Sequence, residues 1–184
     1  MKRFQFGLIL ASVGASSAAA IAQTSVPVAP LIQGSPQYTG IDLVEGNPGF
    51  SIFSKAMEST GVAAIARQSG PYTILAPSDE AFMRMPAGEM NAILGNSDRL
   101  RRILQYHVVP DIVMSDHVHN ERLIPTQLGD PVVFKRTATG VLTVNGANVT
   151  ERDIQANNGV VQIIDTVLIP NRRSPADQTR DTTQ

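Results

Sequence analysis

The sequence predicts an α+β domain, with helices in its first half and strands in its second. Three observations carry this. Leu100, Ile103, Leu104 and His107 recur at helical spacing, the clearest of several such runs before residue 108. From Val132 onward, short β-prone runs separated by turn residues replace that period. Asn145-Gly146 stands between two of those runs, and it is the strongest hairpin signal in the chain because both turn positions need positive φ.

The elements follow in order. Asn47 can cap a helix with Pro48 in its first turn, where a missing N–H costs nothing. Phe50, Phe53 and Met57 then share a face, and Gly61 ends the run. Val62, Ile65 and Ala66 begin a second short helix, stopped by Gly70-Pro71. Tyr72 to Ala76 is β-prone and reads as a strand. Ser78 or Asp79 caps the next helix, whose acidic first turn suits the positive helix end, with Phe82 and Met85 packing inward. Pro86 opens another, with Met90, Ile93 and Leu94 on one face and Gly95 at its end. Ser97 or Asp98 caps the helix that carries Leu100 to His107, and Arg99, Arg101 and Arg102 form its solvated side. Val108-Val109 is a short strand; Val132 to Lys135 and Val141 to Val144 are longer. Asn145-Gly146 joins the last of these to Ala147-Asn148-Val149, and Asn158-Gly159 is a second turn. Residues 160–170, VVQIIDTVLIP, are apolar on both faces and predict a central strand with Asp165 as a buried acid inside it.

The start of the chain points to export. Lys2 and Arg3 precede a mostly apolar run, and small residues follow to Ala20-Ile21-Ala22, the pattern of a secretory signal peptide over 1–22 with cleavage after Ala22. The apolar run is shorter than the roughly 20 residues a spanning helix needs. Cleavage there leaves 13 Lys and Arg against 16 Asp and Glu, a net charge of −3. Such a balance offers no basic field for nucleic acid. The absence of cysteine excludes a disulfide, a thiolate nucleophile and a lipid-bearing cysteine. The Pro-rich stretch 23–41 reads as a flexible linker, 42–170 as one domain, and 171–184 as a polar tail too poor in large apolar side chains to order itself.

Three separated segments resemble fasciclin-like domains. YTILAPSDEAF (72–82) is similar to the first signature box of that family, with Ser78 where Thr is usual. LRRILQYHVVP (100–110) resembles its Tyr-His segment, and residues 144–170, from Val144-Asn145-Gly146 to Pro170, resemble its second box. Thr126-Gln127-Leu128-Gly129 departs from the family's T-L-x-G, which leaves the local strand register open. The resemblance implies a wedge of two β-sheets with several helices packed along it. It also implies an extracellular adhesion or matrix-binding role at the cell surface or envelope, a protein or matrix partner, and neither catalysis nor cofactor. A single exported domain of this kind resembles bacterial members.

Site residues follow from both readings. Tyr106 and His107 are adjacent, so on a helix they point about 100° apart and do not face each other. Their simplest role is to bond nearby backbone and lock a helix–strand junction. The resemblance implies instead a partner contact at Tyr106 and His107. A second implied contact is Asp153-Ile154, which stands where animal members carry an integrin-linked E-P-D-I-M segment; Asp and Ile match, Pro and Met do not. Arg-Gly-Asp does not occur. His117 and His119 are the metal candidates, because on a strand both rings would share a face and Asp111 or Asp116 could add oxygen; their polar surroundings favour solvated histidines. A hydrolase needs a nucleophile held by a base. Ser78 follows a strand and begins a helix, but Asp79 and Glu80 oppose an oxyanion there, so Ser78 reads as a cap. A groove for a small apolar ligand or lipid is the remaining alternative, and a cavity above roughly 300 Å³ would support it. Asn148-Val149-Thr150 matches a glycosylation sequon.

Overall fold

The structure, a computed structural model, describes residues 37–170. The expected signal peptide, the linker as far as residue 36 and the tail from 171 lie outside the described residues.

Folding begins before residue 42. Thr39 and Asp42 cap each other's backbone at the start of helix α1 (Gly40–Glu45), and Ile41 and Val44 are buried. Gly40 and Ile41 therefore belong to the folded body and not to a linker. Asn47 accepts from Gly49 N, as a cap should, but Pro48–Phe50 is a 3₁₀ turn that leads into α2 (Ser51–Ser59). Gly61, at φ 75°, separates α2 from α3 (Val62–Ala66). Strand β1 (Tyr72–Pro77) follows, then α4 (Asp79–Met83) with Ser78 as its cap, α5 (Ala87–Leu94) and α6 (Ser97–Tyr106). Two expectations change here. Asn96, not Ser97 or Asp98, caps α6 by accepting from Arg99 N, because Asn96 is the last residue with extended backbone (φ −128°, ψ 103°) and Ser97 is already helical. Leu94 is 41 % exposed, since only Ile93 on α5 turns fully into the core.

The remaining strands are β2 (Val108–Val109), β3 (Arg122–Pro125), β4 (Pro131–Arg136), β5 (Leu142–Val144), β6 (Ala147–Ala156) and β7 (Gly159–Ile164). Sequence patterning missed β3, whose four residues bury only Ile124 and so show no period. Asn145 (φ 49°) and Gly146 (φ 88°) form the expected β5–β6 turn. At the second turn the loop residues are Asn157 and Asn158, and Gly159 already pairs as the first residue of β7. Gly159 cannot be replaced easily: a Cβ there would lie 1.8 Å from the Tyr72 carbonyl oxygen. Strand β7 ends at Ile164, so Asp165 lies beyond it, half-buried, and accepts from Asn148 N and Nδ2.

The seven strands run in the order β2-β1-β7-β6-β5-β4-β3, all antiparallel except β1 with β7. The two sheets of the expected wedge are thus two halves of one bent sheet that share β6. Its register breaks on either side of Glu151, and Asp153 there takes φ 57°. The β3–β4 register, left open by the displaced Leu128, sets Leu123 opposite Val133. Two cores result. Helices α1–α6 cover one face of β1 and β7, where Phe53, Met57, Ile74, Leu104 and Val161 meet. Leu75, Val109, Phe134, Val144 and Ile164 fill the inside of the bend. Because β1 and β7 are covered on both faces, both are apolar on both sides except at the buried Thr73 and Gln162. Among the described residues no helix is long and apolar enough to cross a membrane.

Candidate functional site

The buried polar side chains locate the site. His107 is fully buried at the end of α6, its ring 5.9 Å from that of Phe53. The Leu168 amide, which can only donate, reaches Nε2 at 3.1 Å. Nδ1 therefore carries the proton and donates to Ile103 O at 2.7 Å. Both nitrogens are satisfied by main chain, and burial lowers the pKa to about 4, so the ring is neutral near pH 7. Tyr106, 5 % exposed, donates its hydroxyl to Pro131 O at 2.9 Å and accepts from Asn145 Nδ2 at 2.8 Å. Burial raises its pKa against that bond from Asn145, with the charge of Asp130 adding to the rise. The adjacent rings serve different ends of the fold: His107 ties α6 to the segment after β7, and Tyr106 ties it to β4 and the β5–β6 turn. Neither presents its side chain to solvent.

Asp153 sits in the β6 bulge and also ties. Its carboxylate accepts from Ser115 N at 2.8 Å, from the Ser115 hydroxyl, and from Gln162 Nε2 at 2.9 Å. Burial alone would push this acid up, but the bonds from Ser115 and Gln162 outweigh it and hold the carboxyl below its ordinary range. Ile154 is buried. The carried-over pair thus has its carboxylate engaged and its aliphatic side chain in the core.

Sequence reasoning passed over the partners of Asp153. Gln162 is fully buried in the middle of β7 and also donates to Val113 O at 2.9 Å, while Asp153 N donates to its Oε1 at 3.0 Å. Thr73 of β1, equally buried, donates to Asp111 O and accepts from Val113 N. Arg136 donates to Val118 O at 3.1 Å and to Ser115 O. Together these groups pin the connection from β2 to β3. The available signal was a glutamine and a threonine inside otherwise apolar strands, which must find partners or forgo about 1–3 kcal/mol each.

That pinned connection forms one wall of a cleft of about 750 Å³. Val113 points inward, and Ile112 and Met114 on either side of it line the cleft. Gln68 and Pro71 lie among the opposing lining, and Gln155 and Asn157 at the β6–β7 end. Asn158 holds that end by accepting from Gly40 N and donating to Ala66 O and Gln68 O. Arg67, the one charged lining residue, is paired with Asp42 and Glu45.

The metal candidates do not share a strand. His117 ends a 3₁₀ turn (Ser115–His117), His119 follows in a bend, and both are exposed because the buried Val118 turns them outward. Asp111 is occupied with Arg122. Among the described residues no three His, Asp or Glu side chains converge as a metal site requires. Ser78 accepts from Ala81 N as a cap, and Asp79 accepts from Ser51 N, Ser51 Oγ and Ile52 N.

Comparison with known proteins agrees with this architecture. Over 143 residues, 78 % of this chain, it is 36 % identical to pig transforming growth factor-beta-induced protein ig-h3, of which it spans only 21 %. It is 34 % identical to protein sll1483 of Synechocystis sp., matching 72 % of this chain and 73 % of that one. Human periostin is 29 % identical, with 16 % of its length matched. The chain thus spans about a fifth of the length of these two animal relatives. A domain pair from the insect cell adhesion molecule fasciclin I has the same fold, with a TM-score of 0.62, 18 % identity, and coverage of 74 % of this chain and 52 % of that one. The Fasciclin domain family model matches residues 48–170, which contain all seven strands and the pinned connection, and the chain belongs to that family.

Proposed function

We propose that this chain is an exported, non-catalytic module that binds a protein or matrix partner at the cell surface or envelope, reached through a signal peptide cleaved after Ala22. The observation that carries the non-catalytic reading is the double main-chain bonding of His107, which leaves neither nitrogen to take a substrate proton. The other described histidines are solvated, and the one serine at a strand–helix turn is occupied as a cap. Family membership supports the adhesive role, and the structural relative is itself described as a cell adhesion molecule.

The residues implied as contacts act in this proposal by positioning. Tyr106 and His107 hold α6 against the sheet, and Asp153 with Ile154 fixes the bulge on which the 111–119 connection rests. A partner meets the surface so arranged. A small-ligand reading gains from the size of the cleft, but a lipid requires walls more apolar than these amide-bearing ones.

A pull-down from the native envelope with the folded chain as bait tests the reading. Wild type retains a partner, Asp153→Ala retains less, and Tyr106→Phe loses binding only as far as its melting temperature falls. Esterase activity abolished by Ser78→Ala would overturn it.

A further inference from the structure

The wall Ile112–Met114 behaves as a short unpaired sheet edge. In an extended run, the backbone groups of alternate residues point to opposite sides. Val113 uses its side inward, where its N–H donates to Thr73 Oγ1 and its carbonyl accepts from Gln162 Nε2. Met114 is extended, at φ −83° and ψ 145°. Among the described residues, Ile112 O and Met114 N have no hydrogen-bond partner. By that alternation they face away from Thr73 and Gln162, and their residues line the cleft.

We propose that the cleft takes an extended, uncharged peptide segment of a partner protein, added as a strand along Ile112–Met114. One incoming strand, in either direction, satisfies Ile112 O and Met114 N together. Its alternate side chains rest on Ile112, Met114 and Pro71, and Gln68 and Gln155 supply amides for its other edge. The segment is uncharged because Arg67 is already neutralised and no other lining side chain carries charge. Thr73, Gln162 and Asp153 pre-form the edge, so ordering costs little on binding.

This inference rests on the partner-binding reading and names the chemistry of its contact. The probe is a capped peptide of sequence Ser-Val-Gln-Ile-Thr-Val-Ser, titrated into the ¹⁵N-labelled chain, beside an analogue N-methylated at its central Ile. Saturable shifts at the Ile112, Met114 and Gln155 amides, with slowed exchange of Met114 N–H, are expected; the analogue binds about tenfold more weakly, one hydrogen bond's worth. Met114→Pro removes only an unpaired N–H at a φ proline accepts, so it folds and loses about the same factor, whereas Met114→Ala keeps the donor and most of the affinity. No saturable shift, equal binding of the N-methylated peptide, or undiminished binding by a folded Met114→Pro overturns the proposal. If Met114→Pro fails to fold by its melting curve, the N-methyl comparison decides. An envelope partner retained equally by Met114→Pro and wild type sinks strand docking and leaves the partner-binding reading standing.

Discussion

Leu168 donates its amide to Nε2 of His107 across 61 positions of sequence, and that bond decides the chemistry of the ring. It makes Nε2 an acceptor, Nδ1 a donor, and the imidazole a neutral strut between α6 and the end of the sheet.

A pH dependence follows. The folded pKa, about 4, lies below the ordinary 6.5, so between those values the unfolded chain binds the proton and the native one does not. The stability His107 confers is complete above pH 6.5 and is lost as pH falls towards 4, by on the order of 3 kcal/mol. Urea denaturation at pH 7.0 and 4.5 should show the drop in wild type and a flatter profile in His107→Gln. The comparison cancels Glu45, whose carboxyl burial raises and which acts with opposite sign.

Tyr106→Phe removes a donor to Pro131 O and an acceptor for Asn145 Nδ2. A loss of about 1–3 kcal/mol is expected in chemical denaturation. In a double-mutant cycle with Asn145→Gly, which keeps the positive φ, the coupling should exceed about 0.5 kcal/mol. Additive effects would mean that the two groups do not act as one tie.

Asp153 combines a left-handed backbone with a working carboxylate. Asp153→Gly relieves the backbone and Asp153→Ala does not, so Ala should be less stable than Gly by about 1 kcal/mol. Both should speed hydrogen exchange at Ser115, whose amide loses its acceptor. An unchanged Ser115 rate in both would refute the pinning of the β2–β3 connection.

Gly159→Ala sets a methyl group against the Tyr72 carbonyl, in the parallel pairing of β1 with β7. The destabilisation should exceed about 3 kcal/mol and appear as a low soluble yield and a depressed melting temperature. A near-native melting curve would mean that the two strands can separate there without cost.

Calorimetric titration with Zn²⁺ should give no saturable heat, because His117 and His119 are solvated, belong to different local elements and lack a third ligand among the described residues.

Much was legible in the sequence because its signals are local. Ser78 as a cap, Gly61 as a helix stop and Asn145-Gly146 as a hairpin turn each act within a few residues, where backbone geometry alone selects the residue type. The apolar run of β7 announced a strand covered on both faces, and the three boxes in order announced the family. Only the tertiary structure decided which partners the polar residues take. Leu168 meets His107, Gln162 meets Val113, and Asp153 meets Ser115 across separations of 61, 49 and 38 residues. A buried donor or acceptor must be satisfied, but its sequence neighbourhood does not say by which distant group. That choice fixed which distant groups Tyr106, His107 and Asp153 tie together, and left the edge at Ile112–Met114 open between them.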